Sequence, residues 1–261
     1  MGSATTQALV AARAQLGAAK SVGLDTAQQL FAVADLVGGS AALLAALTAF
    51  ETDAAPKTAL VAKLFGSLGK TERALVEGLV ASRWSTPDDL LAAIEELGIR
   101  AAASAERSPI DQELLAFSRV VASDHELELA IGSKLSSTDA KLAAVQKLLG
   151  GKVSEATVAV VRQLVNQPRG RRIGEMLRYA AEVAADQNGY LLAHVITAAG
   201  LASNQQQRLE TTLADRSGRK VRLSVVIDPT ILGGLKVQIG DDVIDGSIAA
   251  RLGDLRLKLV G

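Results

Sequence analysis

"KTALVAKLFG" (Lys57–Gly66) returns 84 residues later as "KLAAVQKLLG" (Lys141–Gly150). Six of the ten positions are identical: Lys57/Lys141, Ala59/Ala143, Val61/Val145, Lys63/Lys147, Leu64/Leu148 and Gly66/Gly150. Composition alone would give roughly one or two, so the match reads as an internal repeat. The same spacing pairs Leu30 with Leu114, Val37 with Val121, Leu43 with Leu127, and the cap residue Ser40 with Asp124. A one-residue insertion then aligns Leu79-Val80 with Leu164-Val165. Adding 84 to the first helix, about Ala4–Ala19, lands on about Asp88–Ala103, which is also the last helix of the first copy. The expectation is two copies of one helical bundle, 1–105 and 88–189, sharing the helix 88–104.

The period is helical from Ala4 to about Gly189. Leu30, Phe31, Val33, Leu36 and Val37 recur at the spacing of one helix face. Helix starts are expected at Asp25-Thr26, Ser40, Thr71, Thr86-Pro87-Asp88, Ser108-Pro109-Asp111, Ser123-Asp124, Ser137-Thr138-Asp139 and Ser154. After Tyr190 the period changes. "YLLAHVITAA" (Tyr190–Ala199) reads as a strand, and "SNQQQRLETTLADRSG" (Ser203–Gly218) as a helix ending at glycine. "KVRLSVVID" (Lys220–Asp228) alternates like a half-buried strand, and "GLKVQIGDDVIDGS" supplies two more short strands. "SIAARLGDLRLKLV" (Ser247–Val260) is expected to close the chain as an amphipathic helix. The fold class is therefore mainly α: two duplicated bundles followed by a small α/β domain, 190–261.

Composition narrows the function. Lys and Arg balance Asp and Glu at 28 each, which argues against a chain-wide nucleic-acid or anionic-membrane binder. With no Cys, disulfides and thiolate metal sites are excluded. The most apolar run, "SAALLAALTAF" (Ser40–Phe50), is far shorter than the ~20 residues that span a bilayer.

No catalytic grouping emerges. "LFGSLGKT" (Leu64–Thr71) lacks the first glycine and the preceding strand of a phosphate loop. "GDDVIDG" (Gly240–Gly246) has Val243 and Leu252 where a calcium loop needs oxygen ligands. His125 and His194 lie far apart in sequence, and neither sits in a Ser, Cys or carboxylate spacing that suggests a relay. Arg162, Arg169, Arg171, Arg172 and Arg178 form the one basic cluster, expected to be a solvated face or a patch meeting an acidic partner. Trp84 is expected at a helix junction. No cofactor and no metal are expected.

"DPTILGGLKVQIGDDVIDGSIAARLGDL" (Asp228–Leu255) closely resembles the C-terminal signature of the delta subunits of F-type ATP synthases, called OSCP in mitochondria. Asp228, Pro229, Ile231, Gly233, Gly234, Gly240, Asp241, Ile244, Asp245, Gly246, Ser247 and Leu252 carry the match. Ile110–Gly189 resembles the family's helical domain more loosely. The duplicated helical part departs from an ordinary delta subunit and is similar to the long actinobacterial form. The resemblance implies a stator component and no enzyme. On that resemblance it would sit peripherally at the cytoplasmic face of the bacterial membrane, associated with the membrane only through the complex, and no nucleic-acid partner is expected.

The resemblance also implies partners. The helical domain would hold N-terminal helices of the alpha subunits in a groove between its first and fifth helices. That suggests Leu9, Val10, Leu16, Leu75 and Leu79 in the first copy, and Leu91, Ile94, Val158, Val161 and Val165 in the second. The C-terminal domain would hold the end of the b subunit, with Leu255 and Leu259 as candidates. The competing reading is a helical-repeat adaptor unrelated to ATP synthase.

Overall fold

The computed structural model describes residues 2–49, 53–105, 109–133, 136–240 and 242–248. The chain divides into two compact units, Met1–Ala184 and Ala185–Gly261. The first holds α1 (Ser3–Ala18), α2 (Leu24–Gly38), α3 (Ala41–Thr48), α4 (Ala54–Leu64), α5 (Lys70–Ala81), α6 (Pro87–Ala105), α7 (Ile110–Ser123), α8 (His125–Gly132), α9 (Thr138–Leu149), α10 (Glu155–Asn166) and most of α11 (Ile173–Gln187).

The helix boundaries repeat. Adding 84 to the bounds of α3 gives those of α8, and α4 shifted by 84 falls within one residue of α9. After the insertion, adding 85 to α5 gives α10. Core positions follow: Leu30 and Leu114, Val37 and Val121, Leu47 and Ile131, and Val61 and Val145 are all buried. A polar detail repeats as well. The Gly69 amide at the start of α5 donates to Gln29 Oε1 at 2.9 Å. Its counterpart, the Ser154 amide at the start of α10, donates to Glu113 Oε2 at 3.1 Å. Gln29 and Glu113 stand 84 apart. A side chain of α2 thus satisfies an amide that α5 leaves unpaired, and a side chain of α7 does the same for α10.

α6 lies at the middle of this unit. Every residue from Ala93 to Ala103 is buried, so all sides of three turns are covered. It packs against α1, α2, α3, α5 and α10. The approach to α2 is close: a Cβ built on Gly98 would lie 2.3 Å from Phe31 Cε1, so only glycine admits that ring.

Caps follow the sequence at Ser40, Asp124, Ser137 and Ser154, whose side chains accept from Leu43, Leu127, Ala140 and Thr157 amides. Two starts differ from expectation. α2 begins at Leu24, and Thr26 instead gives its hydroxyl to Glu72 at 2.7 Å. α5 begins at Lys70, so Thr71 lies inside its first turn. Ser108 lies outside the described residues. No single described helix is long and apolar enough to cross a membrane.

The second unit is a sheet of order β2-β1-β3-β4 with one crossover helix. β1 (Tyr190–Thr197) runs parallel to β2 (Lys220–Ile227), joined through α12 (Ser203–Ser217). β3 (Leu235–Ile239) is antiparallel to β1 and to β4 (Asp242–Asp245). α12 ends at Gly218 in the left-handed conformation, as the sequence indicated. Ala193, Val195, Leu213, Val221 and Val237 form the core. The expected final helix, with Leu252, Leu255 and Leu259, lies outside the described residues, as does Asp241.

Candidate partner-binding surfaces

In the first copy α1 and α5 pack side by side. Their seam carries two hollows. One, about 490 Å³, is lined by Ala4, Gln7, Ala11, Ser82 and Trp84 among others. The other, about 300 Å³, is lined by Gln15, Ala18, Lys70, Thr71 and Ala74 among others. Between them Gln15 crosses the seam and donates to the Ala74 carbonyl at 2.8 Å. Alanines (Ala4, Ala8, Ala11, Ala18, Ala19 and Ala74) recur along both hollows, so the seam is a shallow trough with polar side chains such as Gln7, Ser82 and Thr71 at its rims. Trp84 stands at one end, its indole N–H held by the Leu79 carbonyl at 2.8 Å.

The groove residues named from the sequence are nearly all buried: Leu9, Leu16, Leu75 and Leu79 on α1 and α5, and the second set on α6 and α10. Leu9, Leu16, Leu75, Leu79, Leu91, Ile94, Val158, Val161 and Val165 are buried in the chain itself, whereas Val10 is 60% exposed. The largest apolar residues of each helix point into the core, and the seam falls to their smaller neighbours. Leu75 still borders one hollow, and Val158 borders a cavity of about 360 Å³ between α2, α9 and α10.

A buried ionic network on α6 was not read from the sequence. Glu96, side chain 2% exposed, accepts from Arg13 Nε of α1 at 2.7 Å and from Arg100 Nε at 2.8 Å. Tyr179 of α11 donates to its other oxygen at 3.2 Å. Burial raises the Glu96 carboxyl, but the two arginines outweigh it and hold the group below its ordinary value. Burial, reinforced by Glu96, pushes the Tyr179 phenol far up. Glu95 meets Arg169 and Arg171, each at 2.8 Å. This corrects the reading of the basic cluster: two of its arginines spend their charge inside the chain. The available signal was "IEELGIRAAA" (Ile94–Ala103), adjacent glutamates in an otherwise apolar run.

In the C-terminal unit the signature stretch is a set of turns. Asp228 Oδ1 accepts from the Thr230 amide at 2.9 Å and hydroxyl at 2.7 Å. Asp245 Oδ1 accepts from the Ser247 amide at 2.9 Å. These bonds lower both carboxyls below their ordinary range. Ile231 donates its amide to the Asp228 carbonyl, closing the turn that Pro229 begins. Gly233, Gly234 and Gly240 have positive φ. A Cβ on Gly234 would sit 2.5 Å from the Gly246 carbonyl oxygen, so the two glycines let β3 and the end of β4 pass close together. Ile244 packs onto the core from β4. His194 is half-buried in β1, and His125 is exposed on α8.

Known proteins match along this chain. The family model described as "ATP synthase delta (OSCP) subunit" matches residues 99–259. The ATP synthase subunit delta of Leifsonia xyli subsp. xyli is 48% identical over 266 residues, covering 100% of both chains. The chain belongs to the ATP synthase delta (OSCP) family. The subunit delta of Streptomyces avermitilis is 38% identical, covering 98% of this chain and 97% of its own. A chain of a cryo-EM structure of the Toxoplasma gondii mitochondrial ATP synthase hexamer aligns at a TM-score of 0.41 with 20% identity, covering 62% of this chain and 97% of that one. The delta (OSCP) subunit is a structural peripheral-stalk component and not a catalyst. Its family match begins inside α6, leaving α1–α5 outside the matched span.

Proposed function

We propose that this chain is the stator link of an F-type ATP synthase. Its helical unit holds an N-terminal helix of the alpha subunits at the catalytic head. Its C-terminal unit holds the end of the membrane-anchored b subunit. The head is thereby kept from turning with the rotor, and proton-driven rotation is coupled to ATP synthesis. On this reading the chain works at the cytoplasmic face of the membrane, attached through the complex. The observation that carries the proposal is full-length similarity to delta subunits. The α1–α5 trough supports it, because a shallow apolar groove suits an amphipathic helix.

We further propose that the helical unit arose as two bundle copies, 1–105 and 88–189, sharing α6. The repeated boundaries and the paired Gln29 and Glu113 bonds support this. The b-subunit contact is assigned to Leu255 and Leu259 with exposed apolar residues of the same unit, Leu232 and Ile248 among them. Calorimetry tests the reading. A peptide from the alpha-subunit N-terminus and a C-terminal segment of the b subunit should each bind the full chain. If neither binds, the chain is a helical adaptor of another kind.

A further inference from the structure

The two copies do not present the same groove. In the second copy, α6 and α10 are the counterparts of α1 and α5. Their outer seam is occupied by α2, which packs on both. Phe31 lies against Gly98, Gly38 lies against Leu91 and Gln167, and Gln163 Nε2 donates to Asp35 Oδ1 at 3.2 Å. The repeat shift carries these four contact positions, Leu91, Gly98, Gln163 and Gln167, onto Gln7, Ala14, Gly78 and Ser82. All four are exposed or half-exposed; Gln7 and Ser82 line one hollow of the α1–α5 trough, and Gly78 lies against Gln15. The same face therefore holds a helix in one copy and is uncovered in the other.

We propose that α2 is a built-in occupant of the second groove, leaving the α1–α5 groove as the single acceptor for an amphipathic helix. α2 also shows what such a groove takes. It is a helix of 15 residues that sets the large Phe31 against Gly98, and its own Gly38 against Leu91 and Gln167. The α1–α5 seam carries small residues at Ala11, Ala18 and Ala74, with Gln15 laid over Gly78 between its two hollows, so it has room for side chains of a partner helix on either side of Gln15. The consequence is a stoichiometry: a chain with two bundle copies takes one helix and not two. The copy that takes it lies almost wholly outside the span matched by the family model. This rests on the proposed grip on an alpha-subunit helix.

The test uses the full chain, which has no native cysteine. Asp35→Cys with Gln163→Cys, bridged by a short bis-maleimide, locks α2 onto α10. Titration with an alpha-subunit N-terminal peptide should give one site per chain, with the same affinity in bridged and unbridged protein. Ala14→Arg, at an exposed position of the open groove, should weaken binding by roughly tenfold or more while leaving the helical circular dichroism unchanged. Two sites per chain would overturn the inference. So would loss of binding on bridging with Ala14→Arg harmless, because the peptide would then be displacing α2. If the peptide binds nowhere but the bridge forms in high yield, α2 keeps its seat and the alpha-subunit reading falls.

Discussion

Arg171 grips both oxygens of the buried Glu95 carboxylate, Nη1 to Oε1 at 2.8 Å and Nη2 to Oε2 at 2.9 Å. Arg169 adds a third contact at 2.8 Å. The segment between α10 and α11 is thereby tied to α6. Removing the buried Glu95 leaves two partly covered guanidinium groups without their carboxylate. Glu95→Ala should lower the unfolding free energy by about 3–5 kcal/mol. Arg171→Lys should cost less but not nothing, because a point ammonium cannot reproduce the fork. Urea denaturation of the two variants checks both.

Glu96 gives the fold an acid limit. Its carboxyl is held below the ordinary glutamate range by Arg13 and Arg100 in spite of burial. A depressed carboxyl contributes stability that is present above the unfolded value and is lost as pH falls through the folded one. Stability should therefore drop from about pH 4.5 downward, and Glu96→Gln should flatten that limb while lowering stability at neutral pH. Asp35 acts oppositely. Burial raises it despite hydrogen bonds from Gln163, Asn166 and Gln167, so ionising it as pH rises works against the α2 seat. Denaturation midpoints across pH for the wild type, Glu96→Gln and Asp35→Asn should separate the two.

The Gly98–Phe31 contact should be sensitive to one methyl group. Gly98→Ala drives a Cβ into the ring, and overpacking of this kind costs about 1–3 kcal/mol. The double variant with Phe31→Leu should recover part of the loss. A thermal-melt double-mutant cycle measures the coupling.

Gly234 combines positive φ with a backbone neighbour. Gly234→Ala should destabilise the β3–β4 region by more than the ~1 kcal/mol expected of an ordinary Gly→Ala change at an incompatible φ, since the Gly246 carbonyl must also move. Gly240→Ala, with positive φ but open space, should cost less. Hydrogen exchange at the Gly246 amide, bonded to the Leu235 carbonyl, reports the difference.

Much of this architecture was legible because the repeat is in the residues themselves. Lys57–Gly66 and Lys141–Gly150 fix the spacing, and the cap residues Ser40 and Asp124 mark the same boundary in both copies. The turn chemistry of Asp228–Ser247 was legible for a similar reason: Gly234 and Gly240 take backbone angles few other residues tolerate. The groove was less legible. A helix period says which residues are apolar, but it does not separate the face against the core from the face along a seam. Leu75 and Leu79 therefore read as groove and lie in the core, while Ala74 and Ala81 carry the exposed face. The arginine cluster misled because its partner, Glu95, is more than 70 residues away in sequence.

Native mass spectrometry of the full chain with an alpha-subunit N-terminal peptide and a C-terminal b-subunit segment tests the account most directly. One ternary species of one chain, one alpha peptide and one b segment is expected, with each partner bound whether or not the other is present. Failure of both partners to bind the full chain, or their mutual exclusion from it, would contradict a link that joins head to stalk.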